Sequence, residues 1–437
     1  MFATFTDKII AGSSPAVLDA LLKKTSRGVF DWKKRASFQN TVNYAYKNSA
    51  FYRKQFNNLN INPSKIKSPR DLGDFYTKPE DIINHAEDFL CCRPHTVFES
   101  SGTTGQNKRI YMTQDELNAI GKFVAAGLFL GGVTKKDNII NALDFCIWIP
   151  GIVTQKGLEQ SKLFGITAGK IDPMEVYKRI ERYKITVVIG EPTWLIKLTE
   201  IAETHGSLPL KLLIGGAEAM PENARGWMKD VWQGADVRMV YGTVESAGII
   251  AFEPHDECGA YHIDENNFYV ETVNTDSEGY GEVVFTTLNR RCMPLIRYKN
   301  HDISRIINEP CTCKLPFRRL AKLRGRTDEI VVTSGGNLYP LMFEEILKDV
   351  DGITRDWQII FSSRGVKEVM ELHLERAKDS IQEKIETQTF ENIKTKYPDL
   401  WKNLSFKTFD TDFVYHTPNT LRNGRKLIRL IDKRNLS

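Results

Sequence analysis

From Val17 to about Asn57, leucine, phenylalanine and tyrosine recur at helical spacing between lysines and arginines, which predicts helices. Ile61 to Pro79 follows with three prolines and no period, and predicts a loop. Farther on, short β-branched runs at Asn138–Ala142, Leu163–Thr167, Thr186–Ile189, Leu212–Ile214 and Arg238–Tyr241 predict strands. Helical stretches such as Pro173–Tyr183 and Thr193–Thr204 separate them, and this alternation defines an α/β domain with mainly parallel strands. After Gly248 the pattern becomes one of alternating strands around polar turns, Phe268–Val273 and Gly281–Thr287, and predicts a β-rich subdomain. A charged, glycine-containing link at Leu323–Asp328 precedes a strand at Ile330–Thr333, a helix at Leu341–Val350 and a strand at Glu368–Leu374.

With 437 residues the chain exceeds what one core serves, so two domains are expected. The division runs 1–324 for a large domain, 325–328 for a hinge and 329–437 for a small α+β domain. A composition of 41% hydrophobic and 26% charged residues is enough to fill a core and argues against disorder. The net charge of +5 is small against 60 basic and 55 acidic residues, and there is no Lys/Arg block, so a nucleic-acid partner is not expected. The apolar runs Phe123–Val133 and Ile147–Val153 are too short to span a bilayer, and Met1–Ala20 lacks the form of a secretory signal. A cytoplasmic protein without a membrane partner is expected, with its seven cysteines reduced or bound to metal.

The densest chemical signal is Glu99-Ser-Ser-Gly-Thr-Thr-Gly-Gln-Asn-Lys108, which follows the strand-like Thr96–Phe98. Glycines let backbone N–H groups approach an oxyanion closely, the hydroxyls of Ser100, Ser101, Thr103 and Thr104 can donate, and Lys108 adds charge. The plainer alternative is a solvated turn. The Walker pattern is not met, because no Gly-Lys-Ser/Thr closes the segment.

Ser101-Gly102-Thr103-Thr104-Gly105 resembles the phosphate loop of the adenylate-forming superfamily: acyl-CoA synthetases, adenylation domains and luciferases. Four further segments resemble family motifs in the same order along the chain. Tyr241-Gly242-Thr243-Val244-Glu245 is similar to the motif whose Tyr stacks on adenine and whose Glu holds magnesium. Arg297–Asp302 is similar to the segment whose Asp binds the ribose hydroxyls, and Gly325–Asp328 to the hinge, with Arg326 near the ribose and Asp328 as pivot. Asn423–Arg429 resembles the segment carrying the catalytic lysine, here Lys426. Gly216-Ala217-Glu218, Pro294–Tyr298 and the short length resemble the phenylacetate-CoA ligase-like group in particular.

The resemblance implies a large domain of mixed sheets with a β-rich subdomain, followed by a small mobile C-terminal domain. It implies ATP and Mg2+ as cofactors and activation of a carboxylic acid, an aromatic or related small acid, as its acyl-AMP. Coenzyme A, a pantetheinyl carrier protein, a protein thiol or an amine would then accept the acyl group, and a homodimer is compatible with the family. Lys426, Glu245 and Thr104 would carry the chemistry. Val244 replaces the usual Thr or Ser, which keeps open a non-catalytic nucleotide- or acyl-binding protein; Glu245, Asp302 and Lys426 oppose that alternative. Asp144 stands where a small residue is expected. It could pair with an ammonium or hydroxyl on the acid if it faces the acyl site, or it could cap a turn. Phe145, Trp148 and Trp194 are the other acyl-pocket candidates, with Gly216 beside them, and plain core is the alternative for the aromatics.

Cys258, His262, Cys311 and Cys313 offer three thiolates and an imidazole, a closed set for structural Zn2+, with His255 as a substitute for His262. Adjacent Cys91 and Cys92 are expected as strand neighbours on opposite faces and not as a redox pair, and Cys146 and Cys292 as packing residues.

Overall fold

The computed structural model describes residues 21–100, 107–218, 220, 222–255, 258–327, 331–333, 336–364, 367–405, 410–422 and 427–434. Two compact units emerge: one of Met1–Met220, Arg225–Asn300 and Arg305–Lys322, the other of Pro221–Ala224, His301–Ser304 and Leu323–Ser437.

The first unit opens with helices α1 (Arg27–Asn48) and α2 (Ala50–Asn58), where the Ser49 hydroxyl accepts from Tyr52 N and starts the second helix. Phe38, Val42, Ala45, Tyr52 and Phe56 are buried from this pair. After α3 (Pro79–His85), strands β1 (Thr96–Glu99) and β2 (Arg109–Met112) form an antiparallel hairpin. Helix α4 (Gln114–Leu130) begins with a capping box, in which Thr113 Oγ1 accepts from Glu116 N and Glu116 Oε2 accepts from Thr113 N at 2.7 Å.

From there strands and helices alternate as the pattern predicts: β3 (Asn138–Asn141), α5 (Pro150–Ser161), β4 (Phe164–Thr167), α6 (Pro173–Arg182), β5 (Val187–Gly190), α7 (Pro192–His205), β6 (Leu212–Gly215), α8 (Glu222–Val231) and β7 (Asp236–Thr243). The strands from β7 through β6, β5 and β3 to β4 are parallel. Every residue of β5 is buried, as a sheet covered on both faces requires. Below the sheet, Val188, Leu195, Leu198, Met228 and Trp232 join one apolar cluster.

The change of texture at Gly248 marks the β-rich subdomain expected there, which begins only after two strands that still belong to the central sheet. β8 (Gly248–Phe252) and β9 (Ala260–Ile263) continue the same sheet in antiparallel pairing, while β10 (Phe268–Val273), β11 (Gly281–Thr287) and β12 (Tyr298–Ser304) belong to a separate small sheet. The central sheet ends on β13 (Ile306–Ile307) and β14 (Arg319–Ala321), giving nine strands in the order β13-β14-β9-β8-β7-β6-β5-β3-β4.

The second unit contains β15 (Gly325–Arg326), β16 (Val331–Thr333), β17 (Gly336–Leu338), α9 (Pro340–Leu347), β18 (Ile353–Arg364), β19 (Lys367–Arg376), α10 (Gln382–Lys396), α11 (Pro398–Ser405), β20 (Asp410–His416) and β21 (Leu430–Asp432). An antiparallel β18–β19 hairpin forms the middle of a four-stranded sheet, with β20 and β21 parallel to it on either side. Trp357, Ile359, Phe361, Met370, Leu372 and Leu374 alternate onto one face and pack with Phe343, Ile346, Ile385 and Ile393 of the helices. No described helix is long and apolar enough to cross a membrane.

Candidate active site

Because β3 to β7 run parallel, the loops that follow them all leave the same edge of the sheet, the edge where open α/β sheets bind ligands. Asp144, Phe145 and Trp148 follow β3, Trp194 follows β5, and Gly216-Ala217-Glu218 follows β6. Tyr241 to Glu245 close β7. The acyl-pocket candidates and the adenine motif are thereby neighbours along one edge.

The β1–β2 hairpin reaches this edge too. Ser100 N donates to Lys108 O and Lys108 N to Ser100 Oγ, both at 3.0 Å, so the two ends of the loop are tied together. Glu99 N donates to Ile147 O in the loop after β3. Lys108 Nζ lies 2.5 Å from Glu245 Oε1, which joins the hairpin to the end of β7. Ser101, Gly102, Thr103, Thr104 and Gly105 lie outside the described residues.

Glu245 is buried, and the Tyr298 hydroxyl donates to the same Oε1 at 3.2 Å. Burial pushes its pKa up, but the charge and hydrogen bond of Lys108 outweigh this and hold the carboxyl below its ordinary range. Its loop is shaped by glycine and serine. A Cβ on Gly242 would lie 2.4 Å from Gly248 O, so no side chain fits there. Ser246 Oγ accepts from Thr243 N at 3.0 Å and donates to Thr243 O at 2.7 Å. Tyr241 is almost fully buried, and its hydroxyl accepts from Asn300 Nδ2 at 2.6 Å.

Two supports carried no motif. Arg290 donates from Nη1 to Glu245 O at 2.7 Å and from Nη2 to Ser246 O, gripping the backbone of the carboxylate's own turn. Glu116, having closed the α4 cap with one oxygen, accepts from Arg291 N at 2.6 Å and Cys292 N at 2.9 Å with the other. Glu116 thus holds the backbone of the two residues that follow Arg290.

At Gly216-Ala217-Glu218, Gly216 passes so close to Val240 that a Cβ would lie 2.8 Å from its Cγ2, and Ala217 holds a left-handed φ of 73°. Glu218 Oε1 accepts from Thr193 N at 2.7 Å, linking the loops after β5 and β6. The Asp144 carboxylate accepts from Cys146 N at 3.1 Å and caps its own turn. Trp194 donates from Nε1 to Ile171 O and packs within the apolar cluster below the sheet. Phe145 packs beside Gly151 and Gly169. The buried Glu191, ion-paired with Lys170, is a charged group on the same edge that the sequence did not single out.

In the second unit Asp302 pairs across the strands with Arg326, whose Nη1 donates to Asp302 Oδ1 at 3.2 Å. His301 beside it has φ of 68°, and its Nδ1 lies 2.8 Å from Thr327 Oγ1. Asp328 and Lys426 fall outside the described residues. Nearby, Arg429 donates from Nη1 to the carbonyls of Arg355 and Trp357, both at 3.0 Å.

The cysteine cluster is compact. One donor atom each from His255, Cys258, Cys311 and Cys313 lies within 4.8 Å of the others. Cys258 Sγ and Cys311 Sγ are 3.1 Å apart, too far for a disulfide. His262 Nε2 lies 3.1 Å from Cys258 Sγ and 3.4 Å from Cys313 Sγ. The hydrogen bond with Cys258, aided by His262, pushes the Cys313 thiol down, and the same contact pushes Cys258 up. The other cysteines depart from expectation. Cys91 and Cys92 form a bend ahead of β1 and are not strand neighbours, and Cys92 and Cys146 are exposed; only Cys292 is fully packed.

This site, on a carboxyl edge beside a hydroxyl- and glycine-rich hairpin loop, defines a nucleotide-dependent enzyme on an α/β scaffold. A model of the AMP-binding enzyme family matches residues 72–274, and a model of the AMP-binding enzyme C-terminal domain matches residues 335–434. The chain belongs to this family, the adenylate-forming enzymes. It is 28% identical over 353 residues to a phenylacetate-coenzyme A ligase of Thermus thermophilus, covering 76% of this chain and 78% of that one. An Escherichia coli phenylacetate-coenzyme A ligase is 25% identical over 363 residues, covering 78% and 81%. In fold it matches a 2-hydroxyisobutyryl-CoA ligase solved with its acyl-adenylate, with a TM-score of 0.78, 18% identity and coverage of 91% and 88%.

Proposed function

We propose that the protein uses ATP to convert a small carboxylic acid to its acyl-AMP, releasing pyrophosphate, and then passes the acyl group to the thiol of coenzyme A. The observation that carries this reading is the Lys108–Glu245 ion pair, which sets the base of the β1–β2 hairpin against a buried carboxylate at the end of β7. The relatives named phenylacetate-coenzyme A ligase support an aromatic acid of the arylacetate type. Attack of a carboxylate on the α-phosphate brings anions together, so positioning and charge neutralisation are what the enzyme must supply.

In this reading Ser100 to Gly105 cradle the phosphates, with Thr104 donating to the reacting end, and Tyr241 stacks on adenine at a ring fixed by Asn300. Gly216, Ala217 and Glu218 line the adenine side, where the missing Cβ of Gly216 leaves the backbone open. Asp302, oriented by Arg326, accepts from the ribose hydroxyls. Lys426 bridges the carboxylate and the α-phosphate, and Asp328 is the pivot for the second step. A lone buried carboxylate beside a triphosphate suits Mg2+, which keeps phosphate and water among its ligands. Held by Glu245, magnesium would neutralise charge on the departing pyrophosphate.

The donor set of three thiols and an imidazole fits zinc, which takes all three as thiolates and removes their competition for one proton. We assign it to Cys258, Cys311, Cys313 and His255, with His262 as a supporting contact to the sulfurs. With no open position it would brace the β8–β9 and β13–β14 turns without entering the reaction. Reduced thiols of this kind suit a cytoplasmic location.

Acid-dependent exchange of radiolabelled pyrophosphate into ATP, screened over arylacetic and other small acids, tests the first step whatever the acceptor. Exchange is expected with arylacetates, and a thioester on adding free coenzyme A. Exchange without a thioester would move the acceptor to a carrier protein or an amine, and no exchange with any acid would sink the reading. Lys426→Ala is expected to lose exchange yet still form thioester from supplied acyl-AMP.

A further inference from the structure

We propose that Lys108 is the resident counter-ion of Glu245, holding the carboxylate until a divalent cation arrives with the nucleotide and then moving to the phosphates. This rests on the reading of Glu245 as the magnesium holder given above.

A carboxylate as buried as Glu245 is costly without a positive partner. Arg290 does not serve as one, because it donates to the main-chain carbonyls of Glu245 and Ser246. The cation on the carboxylate itself is Lys108, at 2.5 Å from Oε1, and the Tyr298 hydroxyl shares that oxygen. An ammonium at this distance fills the position a metal ion would take on Oε1, and two cations cannot share it without strong repulsion.

Lys108 is placed for exchange. Its backbone is fixed to Ser100 at the end of the hairpin loop, while its side chain keeps about a fifth of its surface exposed, at 22%. A flexible four-carbon stem lets the ammonium move by rotamer change alone, with the backbone held. In the nucleotide-free protein a metal would have to expel Lys108 with no anion to receive it. When ATP is present, its phosphates beside the same loop provide that anion, so metal entry and lysine release occur together. The ion pair thus couples metal affinity to nucleotide affinity, and by linkage the coupling is the same in both directions.

The test is Mn2+ binding to the full-length, zinc-loaded protein without nucleotide, followed by the electron paramagnetic resonance signal of free Mn2+. Lys108→Met is expected to bind one further Mn2+ at least about tenfold more tightly than the wild type, a difference of about 1.4 kcal/mol. Lys108→Met combined with Glu245→Gln should lose that site. Adding ATP should tighten Mn2+ binding more in the wild type than in Lys108→Met. Lys108→Gln provides the same comparison if the methionine variant does not fold. Superimposable Mn2+ isotherms for wild type and a folded Lys108 variant would overturn the inference. Pyrophosphate exchange by the wild type is read separately: its absence with every acid would remove the proposed function, whereas exchange with unchanged Mn2+ isotherms would remove only the role of Lys108.

Discussion

Asn300 donates from Nδ2 to the hydroxyl of Tyr241 at 2.6 Å, across 59 residues of sequence. Tyr241 is almost fully buried, so the bond anchors the hydroxyl end of the ring that the proposed function gives to adenine. Asn300→Leu removes this donor from the buried hydroxyl. A cost of about 1 kcal/mol is expected, read as a KM for ATP raised about fivefold with a small change in kcat. A kcat that falls with KM unchanged would show that Asn300 acts elsewhere.

Arg290 holds the turn of Glu245 through two carbonyls, and its burial pushes its own pKa down to about 10. Arg290→Met leaves both acceptors without their charged donor, at about 2–4 kcal/mol in stability. Thermal unfolding is expected to show this loss, and the concentration of Mg2+ giving half-maximal exchange should rise. Arg290→Lys can reach only one of the two carbonyls at a time and should recover part of the stability. Stability lost without any change in Mg2+ dependence would make Arg290 purely structural.

The parts of this site that were legible in the sequence are those encoded locally. Strands β3 to β7 were marked by β-branched runs because a sheet buried on both faces needs them, and Gly242 by its place in the Tyr241–Glu245 segment, where a Cβ would lie 2.4 Å from Gly248 O. Contacts between distant segments were not legible. Glu116 meets Arg291 across 175 residues and Arg290 meets Glu245 across 45, and nothing in either segment points to the other. The strand pattern after Gly248 marked β10 and β11 and their separate sheet, but it did not show that β8 and β9 continue the central sheet, since alternation records burial and not the partner that covers it. Cys91 and Cys92 were misread as strand because Pro94, between them and β1, delays its start to Thr96.

The thiol cluster leads to a prediction about metal. Its donors lie within 4.8 Å of one another, a spacing a single ion can close. The purified protein is expected to carry one zinc per chain by elemental analysis, and strong chelators should lower its melting temperature. Cys311→Ser or His255→Ala should reduce zinc content, while acid-dependent exchange by whatever remains folded keeps the KM for ATP. His262→Ala should retain zinc but lower stability, because its imidazole contacts two sulfurs. A metal-free protein with unchanged melting temperature would remove the zinc assignment.

Glu265 gathers three positive or N–H partners at the start of β10. Arg27 donates to both of its oxygens, Lys34 Nζ to Oε1 at 2.7 Å and Arg318 N to Oε2 at 3.0 Å, so the first turn of α1 is tied to the sheet. Burial pushes its pKa up, but Arg27 and Lys34 outweigh that and hold it below the ordinary carboxylate range. A depressed folded pKa means that the unfolded chain binds more protons in this window, so stability rises with pH there. The contribution is complete above the unfolded value of about 4.3 and is lost as the pH falls through the folded value. Glu265→Gln removes the charge and leaves buried Lys34 with only the more distant, partly exposed Asp31 at 3.5 Å, at about 3–5 kcal/mol near neutral pH. Melting temperatures of wild type and Glu265→Gln should therefore differ most at pH 6 to 8 and converge on acidification below about pH 4. A gap that stays constant down to the acid limit would show that packing, and not the charge of Glu265, holds α1 in place.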